Sequence, residues 1–202
     1  MNPFDTISSV LLNSSRVVEE LAKATSSEPA SKGLIEVFTG SGKGKTSAAL
    51  GIALRAAGQG LHVYIVFFMK GEFPYGEQKI LSDLPNVDFA RYGFVSFVDP
   101  ANIRPEEKEE AKRALAAAEQ AVFSKKYHVV ILDEVNVAAA WKLIDIDEVI
   151  KLINSRPEDI DLILTGRYAD PRVIELADLV TDMVKIKHPY DKGIPSRKGI
   201  DY

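Results

Sequence analysis

A chain of 202 residues, 46% hydrophobic and 27% charged, suffices for one domain with a real core and is short for two. It has no cysteine and three histidines, His62, His128 and His188, which excludes disulfides, thiolate-held metals, iron–sulfur clusters, a cysteine nucleophile and a histidine-rich metal centre. An ion held by oxygen ligands, such as Mg²⁺, stays open, and a formal charge of −4 argues against a broad basic face for nucleic acid.

Helical spacing over residues 4–24 puts Ile7, Val10, Leu11, Val17, Val18 and Leu21 mostly on one side. The polar stretch 25–33, with Pro29 and Gly33, reads as a linker. Residues 1–32 are therefore expected to form a helix and linker ahead of a domain over 33–202. The start lacks the basic residues and cleavage site of a signal peptide, and the apolar run 63–69 is too short to cross a bilayer. The expectation is a cytoplasmic protein with no membrane partner.

From residue 34 onward, strand and helix patterns alternate. A strand over 34–39 leads into the Gly- and Lys-rich stretch 40–46 and a helix from 47 to about 57, stopped by Gly58 and Gly60. The apolar run 61–68 predicts a strand covered on both faces. A loop over 70–76, a short helix over 77–84 and a strand over 87–91 follow, then an irregular stretch over 93–104 containing Phe94 and Phe97. Pro105 suits the first turn of a helix that runs to about 125, with Glu106, Glu107, Glu109 and Glu110 near its positive end. Next come a strand over 128–132, short helices near 138–143 and over 147–154, and a strand over 160–164. A helix over 171–177, a strand over 179–187 and a Gly-, Pro- and Lys-rich tail complete the chain. The pattern predicts a single α/β domain, a mainly parallel sheet flanked by helices, and the Gly- and Lys-rich stretch after its first strand makes it P-loop NTPase-like. Such sheets bind ligands at the C-terminal ends of their strands, where Thr39, Met69, Glu134 and Thr165 fall.

The stretch Thr39-Gly40-Ser41-Gly42-Lys43-Gly44-Lys45-Thr46 resembles a Walker A phosphate loop, except that Thr39 stands where the motif has glycine. Gly40, Gly42 and Gly44 free the backbone to wrap a phosphate, Lys45 reaches its oxygens, and Thr46 is placed to ligate Mg²⁺, or Mn²⁺ in its place. Asp133 and Glu134 end an apolar strand as a Walker B acid pair does, and strand phase decides which of the two meets the metal. A guanine-reading motif is missing, and Arg104, Arg113, Arg156, Arg167 and Arg172 are scattered rather than grouped as in a kinase lid.

Beyond the loop, four segments carry a resemblance to the phosphate-loop ATP:corrinoid adenosyltransferases. They are Phe68-Met69-Lys70-Gly71, Leu132-Asp133-Glu134, Leu164-Thr165-Gly166-Arg167, and the closing run from Lys187 to Tyr202. The family's loop also reads TG-x-GKGKT, so Thr39 is a family trait. The resemblance implies that cobalt(I) of a reduced corrinoid attacks C5′ of ATP and tripolyphosphate leaves, with ATP reversed in the loop relative to ordinary NTPases. It favours Glu134 at the metal, assigns Lys43 and Lys45 to the departing anion and Arg167 to the nucleotide, and implies a homodimer and a flavoprotein electron donor. It also implies an aromatic loop over the lower corrin face. Phe94 fits that loop, but Ser96 stands where the family has Trp, and Phe97 is the substitute one step later. The basic tail, net +3 over residues 183–202, is suited to polyphosphate or to polar groups at the corrin rim. Two other classes share the phosphate loop: an ATP-binding regulatory module without adenosyl transfer, and a generic P-loop ATPase or kinase.

Overall fold

Alternation along each strand sorts the core into two layers. Val37, Val66, Leu132, Leu162 and Leu164 face one side of the sheet, while Phe38, Ile65, Phe67, Ile131 and Ile163 face the other, all of them buried. The computed structural model describes residues 32–202, and the helix expected over 4–24 lies outside the described residues, as does all of the linker except Lys32 and Gly33. Six parallel strands, β1 (Ile35–Thr39), β2 (Val63–Phe67), β3 (Val87–Arg91), β4 (Val129–Asp133), β5 (Asp161–Thr165) and β6 (Leu179–Asp182), form one sheet in the order β3-β2-β4-β5-β1-β6.

Helix α1 (Lys45–Gly58) covers one face, and its small residues Ala49, Ala53 and Ala56 let it lie close to Phe38, Ile65 and Ile131. The short α2 (Gly76–Leu81) adds Leu81 to the same layer. The opposite face is covered by α3 (Pro105–Phe123), α4 (Val135–Ala140) and α5 (Ile146–Ser155), with Val173 of α6 (Pro171–Leu176) joining them. Helix α3 starts on Pro105 as expected, and a capping box closes it: the Glu107 carboxylate accepts from the Arg104 backbone N–H at 2.9 Å.

Two boundaries depart most from the sequence expectation. Helix α4 begins at Val135 rather than near 138, because Glu134 takes a left-handed turn (φ 66°) that swings the chain from strand to helix without a loop. Strand β6 stops at Asp182 rather than 187, and all four of its residues are exposed. There the Met183 N–H donates to the Thr39 carbonyl, and the Met183 carbonyl accepts from Gly42, so the chain leaves the ladder to line the phosphate loop. In the Gly-, Pro- and Lys-rich tail, a 3₁₀ turn forms at Pro189–Lys192, capped by His188 Nδ1.

Strand β5 separates β1 from β4, so the strand ends bearing the loop and the acids flank Thr165. Leu162 sits at the far end of β5, fully buried. Leu162→Ala should cost about 2–5 kcal/mol of stability in urea unfolding while leaving the nucleotide affinity of the folded protein unchanged.

Candidate active site

The phosphate loop is moulded against the segment that follows β6. Gly40 has φ +94°, and a Cβ there would collide with the Asp182 carboxylate and lie 2.7 Å from the Met183 nitrogen, so a side chain is excluded by both conformation and space. The Gly42 N–H donates to the Met183 carbonyl at 2.6 Å. Lys45 is buried and its ammonium closes the loop on itself, donating to the carbonyls of Gly40 at 2.9 Å and Gly42 at 2.6 Å. Burial pulls its pKa down, opposed chiefly by the Glu134 carboxylate. Ser41, Lys43 and Gly44 are exposed, and Lys43 forms an ion pair with Asp201 of the closing segment. Thr39 is buried, and its hydroxyl accepts from the Ala169 N–H at 3.4 Å.

The acid pair divides its work. Asp133 is fully buried: its Oδ1 accepts from the Thr165 hydroxyl at 2.7 Å, and its Oδ2 accepts from the Lys70 ammonium at 2.6 Å. The Thr165 oxygen in turn accepts from the Glu134 N–H at 2.9 Å. Lys70 also reaches the Thr46 hydroxyl at 3.3 Å, so one ammonium stands between the hydroxyl of the loop and the carboxylate at the end of β4. Burial alone would lower the Lys70 pKa, but the Asp133 carboxylate more than compensates and the net shift is upward. Its backbone is pinned where two loops cross. The Lys70 N–H donates to the Tyr92 carbonyl at 2.9 Å, and a Cβ on Gly93 (φ +112°) would come within 2.8 Å of the Met69 Cα.

This ammonium tests whether the residues fit a divalent cation. A positive group already occupies the space between Thr46 and Asp133, and Glu134 lies beside them, so the donor set is the hard-oxygen kind that Mg²⁺ takes. Among the described residues no group of three or more His, Cys, Asp or Glu side chains could hold a metal, so water or nucleotide oxygens would complete the shell of a cation held here.

Glu134, Arg167 and Lys70 form the polar wall of a cavity of 340 Å³. Its other walls are Phe68, Met69, Phe97, Val98, Trp141 and neighbouring side chains. Three of its lining residues, Met69 (φ 56°), Glu134 (φ 66°) and Tyr168 (φ 63°), hold left-handed backbone without being glycine, a costly conformation that concentrates at functional sites. Phe97 lines this cavity and Phe94 does not; the Arg104 guanidinium lies 5.0 Å from the centre of the Phe94 ring. On the other side of Lys70 and Tyr75, a second cavity of 490 Å³ lies against Thr46, Ser47, Leu54 and the closing residues Ile200 to Tyr202. The Tyr202 ring packs edge-on to Phe73 at 5.3 Å. A larger cavity of 1040 Å³ among α3, α4 and α5 shares only Tyr168 with the first and does not touch the phosphate loop.

The structure thus brings Thr39, Gly40, Gly42, Lys45, Thr46, Asp133, Glu134 and Arg167 to one edge of the sheet, with Phe97 beside them, and leaves Phe94 outside. Sequence reasoning assigned no role to Lys70, Tyr75, Thr165 or Asp201. The sequence shows Lys70 just after one apolar strand and Thr165 at the end of another, but not that both meet Asp133.

The parts define a phosphate-loop nucleotide-binding α/β protein with an apolar cavity beside its acids. The family model described as ATP:corrinoid adenosyltransferase BtuR/CobO/CobP matches residues 31–202. The corrinoid adenosyltransferase of Escherichia coli K12 is 34% identical over 187 residues, covering 93% of this chain and 94% of that one. Corrinoid adenosyltransferase CobA of Salmonella typhimurium is 34% identical over 171 residues, covering 85% and 86%, and the Pseudomonas aeruginosa enzyme is 33% identical, covering 85% and 84%. The chain belongs to the ATP:corrinoid adenosyltransferase family, and its activity is transfer of the adenosyl group of ATP to the cobalt centre of a corrinoid. Among the described residues no helix is long and apolar enough to cross a membrane.

Burial, and after it the Asp133 charge, push the Glu134 pKa above its ordinary 4.5. A raised pKa means the folded state holds the proton more tightly than the unfolded chain, so ionised Glu134 costs stability at neutral pH. Glu134→Gln should therefore raise the melting point of the nucleotide-free protein at pH 7, by about 0.5–2 kcal/mol of stability. The gain should shrink as the pH falls through the raised pKa of the folded state toward 4.5, and vanish below 4.5, where the wild-type carboxyl is protonated in both states.

Proposed function

We propose that ATP binds with its triphosphate along Thr39 to Thr46 and its ribose C5′ turned toward the 340 Å³ cavity, the reversed orientation of the family. The observation that carries this reading is the pairing of a polar wall, Lys70, Glu134 and Arg167, with an apolar and aromatic one, in a cavity that Lys70 links to the phosphate loop through its bond to Thr46. A hydroxyl or carboxylate acceptor gains nothing from Phe97, Val98 and Trp141, whereas the faces of a corrin do.

Loop N–H groups and Lys45 bind the phosphates, with Lys45 exchanging its bonds to Gly40 and Gly42 for phosphate oxygens. Lys43, released from Asp201, adds a second positive charge. Thr46, Asp133 and Glu134 would hold Mg²⁺, which supplies charge neutralisation to the triphosphate. The cobalt(I) electron pair forms the Co–C5′ bond, and the C5′–O bond breaks with its electrons passing to the departing tripolyphosphate. No proton moves in this step, so no general base is required. The three histidines agree with this. His62 and His128 stack at 5.9 Å and His188 caps the 3₁₀ turn, so none lies at the cavity. Phe97, Met69 and Trp141 keep water from the cobalt. The family resemblance further supports a homodimer, a flavoprotein electron donor and a cytoplasmic setting.

Anaerobic mixing of the protein with ATP, Mg²⁺ and reduced cobalamin should give the absorbance of an alkylated corrinoid together with tripolyphosphate. Release of ADP would mark a kinase or ATPase, and binding without turnover a regulatory module. Lys45→Ala should lower kcat/KM by about 10²–10³-fold. Phe97→Ala should slow the reaction of cobalt(II) substrate with a mild reductant by about 10–100-fold, and that of pre-formed cobalt(I) far less. Phe94→Ala should show a smaller split, since its ring faces Arg104. Equal slowing of both cobalt states by Phe97→Ala would reduce that residue to simple packing.

A further inference from the structure

Lys70 holds the place that a divalent cation needs. Its ammonium donates to Asp133 Oδ2 at 2.6 Å and to Thr46 Oγ1 at 3.3 Å, and its side chain is only 12% exposed. A divalent cation ligated directly by Thr46 Oγ1 and Asp133 Oδ2 would sit where the Lys70 ammonium sits, and repulsion between two cations at that spacing drives Lys70 out. The side chain has somewhere to go. Lys70 lines both the 340 Å³ cavity and the 490 Å³ cavity, forming part of the wall between them, and its ammonium is 5.1 Å from the Tyr75 ring centre and 5.6 Å from that of Phe67. A triphosphate in the loop would run past this wall, and its negative charge is the partner that replaces Asp133.

We propose that Lys70 is a built-in placeholder cation: it neutralises Asp133 while the site lacks nucleotide, yields Thr46 and Asp133 to the metal that arrives with ATP, and turns its ammonium onto the triphosphate. This rests on the nucleotide placement given above but makes a claim about metal affinity that holds or fails without any corrinoid. The placeholder keeps free metal out, so that the cation enters only with the nucleotide that carries it. It also spares the fold an unpaired buried carboxylate between turnovers.

The test is Mn²⁺ binding followed by its electron paramagnetic resonance signal, without nucleotide or corrinoid. Wild type should bind Mn²⁺ weakly. Lys70→Met should bind it at least tenfold more tightly, because Asp133 loses its internal counter-cation, while its turnover number with MgATP and pre-formed cobalt(I) falls. Lys70→Arg should restore weak Mn²⁺ binding. An Mn²⁺ affinity unchanged or weakened in folded Lys70→Met overturns the proposal and leaves Lys70 a structural ion pair. A measurement on the unaltered chain covers the case in which Lys70→Met fails to fold. The side-chain nitrogen resonance of Lys70 should shift when Mg²⁺ is added to protein holding a non-hydrolysable ATP analogue, and an unmoved resonance overturns the proposal equally. Failure of adenosyl transfer in wild type would sink the nucleotide placement and leave the Mn²⁺ result standing.

Discussion

Everything at the site is arranged around the Asp133 side chain, which has no contact with water. A buried acidic group must be met by partners, and leaving it unmet costs more than any single surface interaction returns. Asp133 ends β4, and its two partners come from the ends of two other strands: Lys70 follows β2 and Thr165 ends β5. The sheet order places those strands side by side, so the polar network and the ladder specify each other. The same network extends to α1 through the Thr46 hydroxyl and to α4 through the Glu134 N–H. Moving any of these elements by a strand register would leave a buried polar atom without its bond.

That dependence explains what the sequence could and could not disclose. The parallel α/β class, the phosphate loop and the acid-bearing strand were readable because each rests on local chemistry: apolar runs, glycines before a lysine, acids after β-branched residues. The position of β5 between β1 and β4 was not readable, since strand order is a long-range property, and with it went the role of Thr165. Lys70 was visible as part of a segment, but a lone lysine after a strand has no local signature of pairing with an acid 63 positions later. The end of β6 was misjudged for a related reason. Residues 183–187 continue a weak alternation, and only the competing demand of Gly42 and Thr39 for the Met183 backbone ends the strand. The early start of α4 hinged on one backbone angle at Glu134, which glutamate adopts uncommonly and which no neighbouring residue type announces.

Met69, Glu134 and Tyr168 come shortly after β2, β4 and β5, and all three carry positive φ. Each turns the chain sharply within one to three residues of its strand, which keeps the connections short and the side chains that follow close to the strand ends. Three of the five non-glycine residues with positive φ among the described ones thus stand in the wall of one cavity, above the deeply buried layers on both sheet faces. The aromatic cluster of Phe73, Tyr75, Phe97 and Tyr202 closes the same region from outside, joining the loop after β2, the loop after β3 and the closing segment. A rigid base with an adaptable rim suits a site that admits two substrates of very different size and shape.

Trp141 ends α4 and forms part of the apolar wall, and it is the single tryptophan of the 202 residues. The protein therefore carries one indole emitter, and its emission reports on a single location. Corrins absorb strongly across the near-ultraviolet and visible, so a corrin against that wall is an energy acceptor within a few ångströms of the donor. Occupancy of the cavity is thus written into the intrinsic emission of the unmodified chain, free of background from any second indole.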